Sequence, residues 1–125
     1  MIHSLDDARH WEIIEKTAMH PLQIFLQVNL DGATSRGGVN ADSLYPLAVA
    51  VERSTTHSLA GLMAIAPLET ETEMAFSQLA AIRVDFLKEF PKARALSAGM
   101  SGDYEIAISY GATHIRIGSA ILGSR

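Results

Sequence analysis

The sequence predicts an α/β domain organised around a parallel sheet, and three observations lead there. Apolar runs of strand length alternate with stretches whose apolar residues recur at helical spacing; glycines punctuate the junctions; and no long linker, low-complexity tract or fixed-period repeat interrupts the pattern. Strict alternation implies parallel strands, because parallel neighbours need a crossover that a helix usually supplies. Two architectures satisfy it: an open doubly wound sheet, or part of a (β/α)8 barrel. A complete eight-unit barrel takes roughly 250 residues. The 125 residues present supply about five units, the first of them a stub.

Taken in order, Ile2-His3 resembles a strand end feeding a helix that carries Trp11, Ile14 and Ala18. Leu22 to Asn29 (LQIFLQVN) is apolar with little alternation, which suits a strand covered on both faces. Gly32, Gly37 and Gly38 mark the loop after it, and Ser35-Arg36-Gly37-Gly38 reads as a plain loop at a strand end. From Asn40 to Arg53, Leu44, Leu47, Ala48 and Val51 fall at helical spacing. Leu59 to Ile65 (LAGLMAI) reads as a second buried strand. Thr70 and Glu73 form a possible capping box opening a long helix, lined by Phe76, Leu79, Phe86 and Phe90 and stopped by Pro91. Ala95 to Gly99 is a third strand, with a helix beginning near Ser101. Thr113 to Ile117 (THIRI) is a fourth, followed by Gly118 and a last short helix.

Bulk properties narrow the function classes. Apolar residues make up 48%, charged residues 19%, and the net charge is −4. Nucleic-acid and anionic-membrane surfaces need clustered positive charge, which this chain lacks. Without cysteine there is no disulfide, thiolate nucleophile or Cys-based zinc site, which fits a cytoplasmic protein. No apolar run approaches a membrane span, and the first residues lack the layout of a secretory signal. The five histidines (His3, His10, His20, His57, His114) show neither His-x-x-x-His nor His-Glu-x-x-His spacing, so no metal site is expected. Glu69, Glu71 and Glu73 suit a helix N-terminus by charge.

The informative stretch is Ser97–Gly123, SAGMSGDYEIAISYGATHIRIGSAILG. It holds two strand–Gly–Ser–helix junctions, Gly99-Met100-Ser101-Gly102 and Ile117-Gly118-Ser119-Ala120. Glycine lets a ligand approach the backbone, and helix N-termini offer unpaired N–H groups and a partial positive charge, so such junctions can bind phosphate without lysine. Loops after the last two strands of a barrel commonly do so. Each junction alone reads more readily as a turn and an N-cap; the two in succession, where a barrel would close, bring the two readings level. Arg116 lies in mid-strand, where an always-charged guanidinium needs an acceptor or an anion. It is expected on the interior face, with Ile115 and Ile117 toward the helices, and meets either an interior carboxylate or a cofactor ring nitrogen.

The segments GLMAI (Gly61–Ile65), LSAGMSGDYEIAI (Leu96–Ile108) and HIRIGSAILGSR (His114–Arg125), with IHSLD (Ile2–Asp6) and QVNLDGATSRGGV (Gln27–Val39), resemble the YggS/PROSC-type pyridoxal phosphate homeostasis proteins. The likeness runs in order along essentially the whole chain, and its S-x-G-M-S and R-I-G-[ST]-A-I-x-G pieces are specific in combination. The resemblance implies the barrel of the alanine racemase N-terminal domain, with pyridoxal 5′-phosphate at the strands' C-terminal ends. It implies that Ser101, Gly118 and Ser119 hold phosphate, that Arg116 addresses the pyridine nitrogen, and that Met63 and Met100 lie near the cofactor. For both methionines a plain core role fits as well. Ser119 stands where threonine is frequent and keeps the hydroxyl; Gly102 and Leu122 replace commoner acidic and aromatic residues without touching phosphate binding.

Members of that family are roughly twice as long and carry a Schiff-base lysine on the first barrel strand, whereas this chain aligns from about the fourth strand onward (strands 4–8). It is expected to be a single partial barrel domain over 1–125, without that lysine. Lys16, Lys88 and Lys92 fall on, or just past, outer helices. The expected function is a non-catalytic module that binds pyridoxal phosphate, or phosphate, non-covalently. Open sheet edges suggest homo-oligomers that complete the barrel, or else a poorly soluble fragment. Two other readings stay open: a truncated or engineered half-barrel that assembles without cofactor, and a fragment of an amino-acid racemase or decarboxylase. The last would need an imine lysine and a proton-transfer partner.

Overall fold

The run LQIFLQVN forms a strand buried on both faces: Ile24, Phe25 and Leu26 all have zero relative exposure. It is β2 (Gln23–Gln27), one of five strands in a computed structural model that describes the backbone of residues 2–5, 7–30, 39, 41–65, 72–100 and 104–116. Around it the order is β1 (Ile2–Leu5), α1 (Ala8–Thr17), β2, α2 (Ala41–Glu52), β3 (Ser58–Ala64), α3 (Thr72–Glu89), β4 (Ala95–Met100), α4 (Tyr104–Ser109) and β5 (His114–Arg116).

The strands lie side by side in sequence order, β1-β2-β3-β4-β5, and every pair is parallel. That order decides between the two architectures. A doubly wound sheet reverses direction and sends helices to both faces, whereas right-handed crossovers advancing one way keep every helix on the same face. One apolar core accordingly joins Ile24, Leu26, Leu62, Ala64, Leu96 and Ala98 to Trp11 of α1, Leu44, Leu47, Ala48 and Val51 of α2, Phe76, Leu79 and Phe86 of α3, and Ala107 of α4. These are consecutive units of a barrel-type sheet. Among the described residues, β1 and β5 are its edges.

Local chemistry sets the helix ends. The Asp7 carboxylate accepts the Arg9 backbone N–H at 2.7 Å and caps α1. Glu73 lies in the first turn of α3; Thr70, its expected partner in a capping box, is outside the described residues, as are Glu69 and Glu71. Phe90 was expected on α3 but follows its last residue. It is still buried, with its ring 4.8 Å from that of Phe86, and Pro91 turns the chain away. The last strand begins at His114 rather than Thr113: the Thr113 N–H donates to the Leu96 carbonyl at 2.8 Å, but the Leu96 N–H goes to the Thr113 hydroxyl, at 2.8 Å, rather than to a backbone carbonyl. The short helix expected after Gly118 lies outside the described residues.

At the strands' N-terminal ends the chain buries a histidine. The His57 Nδ1 accepts the Leu22 N–H at 3.0 Å, and its ring meets Trp11 edge to face at 5.8 Å. The His57 N–H donates to Ser54 Oγ at 2.9 Å, and that hydroxyl donates to the Glu15 carboxylate at 3.1 Å. The cluster ties α1, the end of α2 and the starts of β2 and β3 together.

Candidate functional site

Opposite the helix-covered face the strands present a second row of side chains. The register places Gln27 beside Met63, Met63 beside Ser97, and Ser97 beside His114. Residues in register on parallel strands share a face, so these four form one layer across β2 to β5. Met63 and Ser97 are buried, while Gln27 and His114 at either end are half-buried. One layer deeper, Phe25 opposes Gly61, which opposes Ala95. The small residues at 61 and 95 leave room above them, and the Phe25 ring reaches across to His114, centroid to centroid 5.1 Å and close to perpendicular at 70°.

Of the residues singled out in the sequence, Met63 is therefore in the interior-face layer, 3% exposed. Met100 ends β4 and Arg116 ends β5, and their Cα atoms are direct register partners. The two strands thus finish level with one another: Met100 is three residues beyond Ser97 and Arg116 two beyond His114, and an irregularity in the register between Ser97 and Met100 takes up the extra residue. The side chains of Met100 and Arg116, and Ser101, Gly118 and Ser119 entirely, lie outside the described residues, as does the Ser35-Arg36-Gly37-Gly38 loop. The feet of that loop are described: the Asn29 N–H donates to the Val39 carbonyl at 2.9 Å and the Val39 N–H to the Gln27 carbonyl at 2.8 Å. Gly99 has φ of 99°, a conformation that favours glycine, so β4 departs from regular extension at its penultimate residue.

The lysines are elsewhere. Lys16 and Lys88 sit in the last turns of α1 and α3, and Lys92 lies in the turn before β4. Helix C-termini in alternating units face the strands' N-terminal ends, so all three are at the opposite end of the sheet from Met100 and Arg116. All three are exposed. No group of three or more His, Asp or Glu able to hold a metal occurs among the described residues, and no described helix is long and apolar enough to cross a membrane.

Sequence reasoning missed Ser97 and His114 as site-layer residues. The available signal was alternation: His114 precedes Arg116 by two, and Ser97 follows Ala95 by two, so each shares its neighbour's face. His114 belongs to no metal-ligand spacing and opens the segment HIRIGSAILGSR. Its Nδ1 lies 2.9 Å from the Thr113 hydroxyl, which also bonds Leu96 of the adjoining strand.

Comparison with known proteins follows the same lines. The family described as "Alanine racemase, N-terminal domain" matches residues 1–125. A pyridoxal phosphate homeostasis protein of Mycobacterium leprae is 44% identical over 106 residues, 82% of this chain. The chain spans about half the length of the curated relatives it matches, from 41% to 50% for the mycobacterial ones. Among solved structures, PipY of Synechococcus elongatus with pyridoxal phosphate bound superposes with a TM-score of 0.78 at 29% identity, covering 93% of this chain and 57% of that one. Alanine racemase from Corynebacterium glutamicum superposes with a TM-score of 0.74 over 98% of this chain and 35% of that one, at 14% identity; that likeness concerns the fold alone.

Proposed function

The chain belongs to the alanine racemase N-terminal domain family, and from that premise we propose that it is a pyridoxal 5′-phosphate-binding module without turnover of its own. Its described strands β1–β5 then correspond to about strands 4–8 of an eight-stranded barrel, within a single partial domain over 1–125. Phosphate is held by Ser101 after β4 and by Gly118 and Ser119 after β5. Arg116 faces the pyridine nitrogen, and Met63 and Met100 border the ring. The cofactor, when bound, supplies an electrophilic aldehyde on a heteroaromatic ring; this chain's residues bind and orient it.

One observation carries the reading: Met100 and Arg116 are register partners at the ends of adjacent parallel strands. The points at which the two Gly–Ser segments begin are therefore side by side at the same end of the sheet. Helix starts following both strands would converge their N–H groups on one anion. The positive φ of Gly99 and the interior Met63 fit the same site. Covalent attachment is not part of the proposal, because Lys16, Lys88 and Lys92 stand at the other end of the sheet. The chemistry suits a cytoplasmic protein, and the edges that β1 and β5 form among the described residues suit homo-oligomers that complete the barrel.

The test is native mass with and without added pyridoxal phosphate, with the absorption spectrum recorded alongside. Reversible binding without a Schiff-base band is expected, from a species larger than a monomer. A borohydride-trapped adduct on any of the three lysines would overturn the non-covalent reading, and a monomer at micromolar concentration the assembly. A second reading, a half-barrel that assembles without cofactor, draws on the full burial of Phe25 and its contact with His114. Absence of binding by the assembled chain would favour it.

A further inference from the structure

Resting on the reading above, we propose that His114 is a positioning residue that sets how a flat ring sits over the interior layer, and so makes the site select a heteroaromatic phosphate ester over phosphate alone. The imidazole is fixed from several directions. Its Nδ1 lies 2.9 Å from Thr113 Oγ1. That hydroxyl is itself tied to β4, accepting the Leu96 N–H at 2.8 Å, with the Leu96 carbonyl 3.2 Å away. The Phe25 ring packs against the imidazole edge to face at 5.1 Å, and the backbone is in register with Ser97.

Position gives this rigidity a use. His114 lies two residues before the end of β5, roughly 6.6 Å along the strand, which is the depth of one layer below the ends where the ligand's phosphate is gripped. Met63 and Ser97 beside it are buried, whereas His114, at the end of the layer, is half-buried and keeps part of its surface accessible. A group bound at the strand ends by its phosphate has one remaining freedom, the tilt of its ring. A side chain locked by a hydrogen bond on one nitrogen and an aromatic face on its flank removes that freedom without ordering cost at binding. Inorganic phosphate has no ring to orient and makes no such contact.

The experiment measures the affinity of the full 125-residue chain for pyridoxal 5′-phosphate and for inorganic phosphate, in the parent and in His114→Ala and His114→Gln. His114→Ala should weaken pyridoxal phosphate about tenfold, the scale of one good polar contact, shift the absorption of the bound ring, and leave inorganic phosphate within about twofold. His114→Gln, which keeps a polar, planar group, should recover part of the loss. Equal losses for both ligands would show a merely structural residue and overturn the proposal, as would unchanged affinity for pyridoxal phosphate in His114→Ala. A parent chain that binds neither ligand overturns the binding-module reading itself, and this inference with it.

Discussion

A Cβ built on Gly61 would lie 1.7 Å from the carbonyl oxygen of Ala95 on the neighbouring strand. No relaxed side chain occupies such a position, so β3 and β4 keep their spacing only because residue 61 has no side chain. This also explains why Phe25 can lean across the interior face toward His114: its register partners there are small.

Gly61→Ala should therefore split β3 from β4 at the centre of the sheet. A loss of about 3 kcal/mol or more is expected, at the severe end for overpacking because the clash is with backbone. Urea unfolding measures it. Gly111→Ala is the contrast. Its Cβ would meet only the Arg83 guanidinium at 3.5 Å, an ordinary contact, though φ is +100°. That change should cost about 1 kcal/mol through backbone strain. Equal effects of the two substitutions would contradict the packing account.

Removing the buried histidine at the other end of the sheet should destabilise without touching ligand binding. His57→Ala leaves the Leu22 N–H without its acceptor and opens space beside Trp11. The two effects together should lower stability by about 2–4 kcal/mol. Affinity for pyridoxal phosphate, measured well below the unfolding transition, should stay at the parent value, since the cluster lies at the strands' N-terminal ends. A large change in affinity at unchanged stability would place the site elsewhere.

Acid should selectively loosen the start of α1. Hydrogen bonds from the Arg9 side chain and backbone, together with its charge, hold the Asp7 carboxyl below the ordinary value of 3.8. A depressed folded pKa means the cap's contribution is fully present above the unfolded value and fades as pH falls through the folded one. Parent and Asp7→Ala should therefore differ in thermal midpoint above the ordinary carboxyl value and converge as pH falls well below it. A difference that persists at the acid end would show that the carboxylate is not its source.

Most of the element order was legible because it is written in local periodicity. The run from Leu22 to Asn29 sets its apolar bulk around Ile24, Phe25 and Leu26, which suits a strand covered on both sides, and all three are buried. Leu44, Leu47, Ala48 and Val51 share a helical stripe, and all four are buried. Boundaries were less legible: Thr113 reads as strand by type, and its backbone N–H does donate to the Leu96 carbonyl at 2.8 Å, but its hydroxyl takes the Leu96 N–H. The interior layer was half legible. Met63 was picked out, whereas Ser97 and His114 gained meaning only when register set them beside it. Nothing in the local sequence marks His57 as the hub of four elements, because its partners Leu22, Trp11 and Ser54 come from separate parts of the chain.

What the sequence determined alone was the alternation of strands and helices, the faces each would bury, and a family likeness carried by the two Gly–Ser junctions and the arginine between them. What only the tertiary structure decided was lateral: that the strands line up in the order they are made, that Met100 ends level with Arg116, and that a phenylalanine on the second strand reaches a histidine on the fifth. The division has a physical cause. Periodicity and turn chemistry act over a few residues and are visible in any window of the chain. Strand order and register are set by packing among residues far apart in sequence, and those contacts exist only once the sheet has formed.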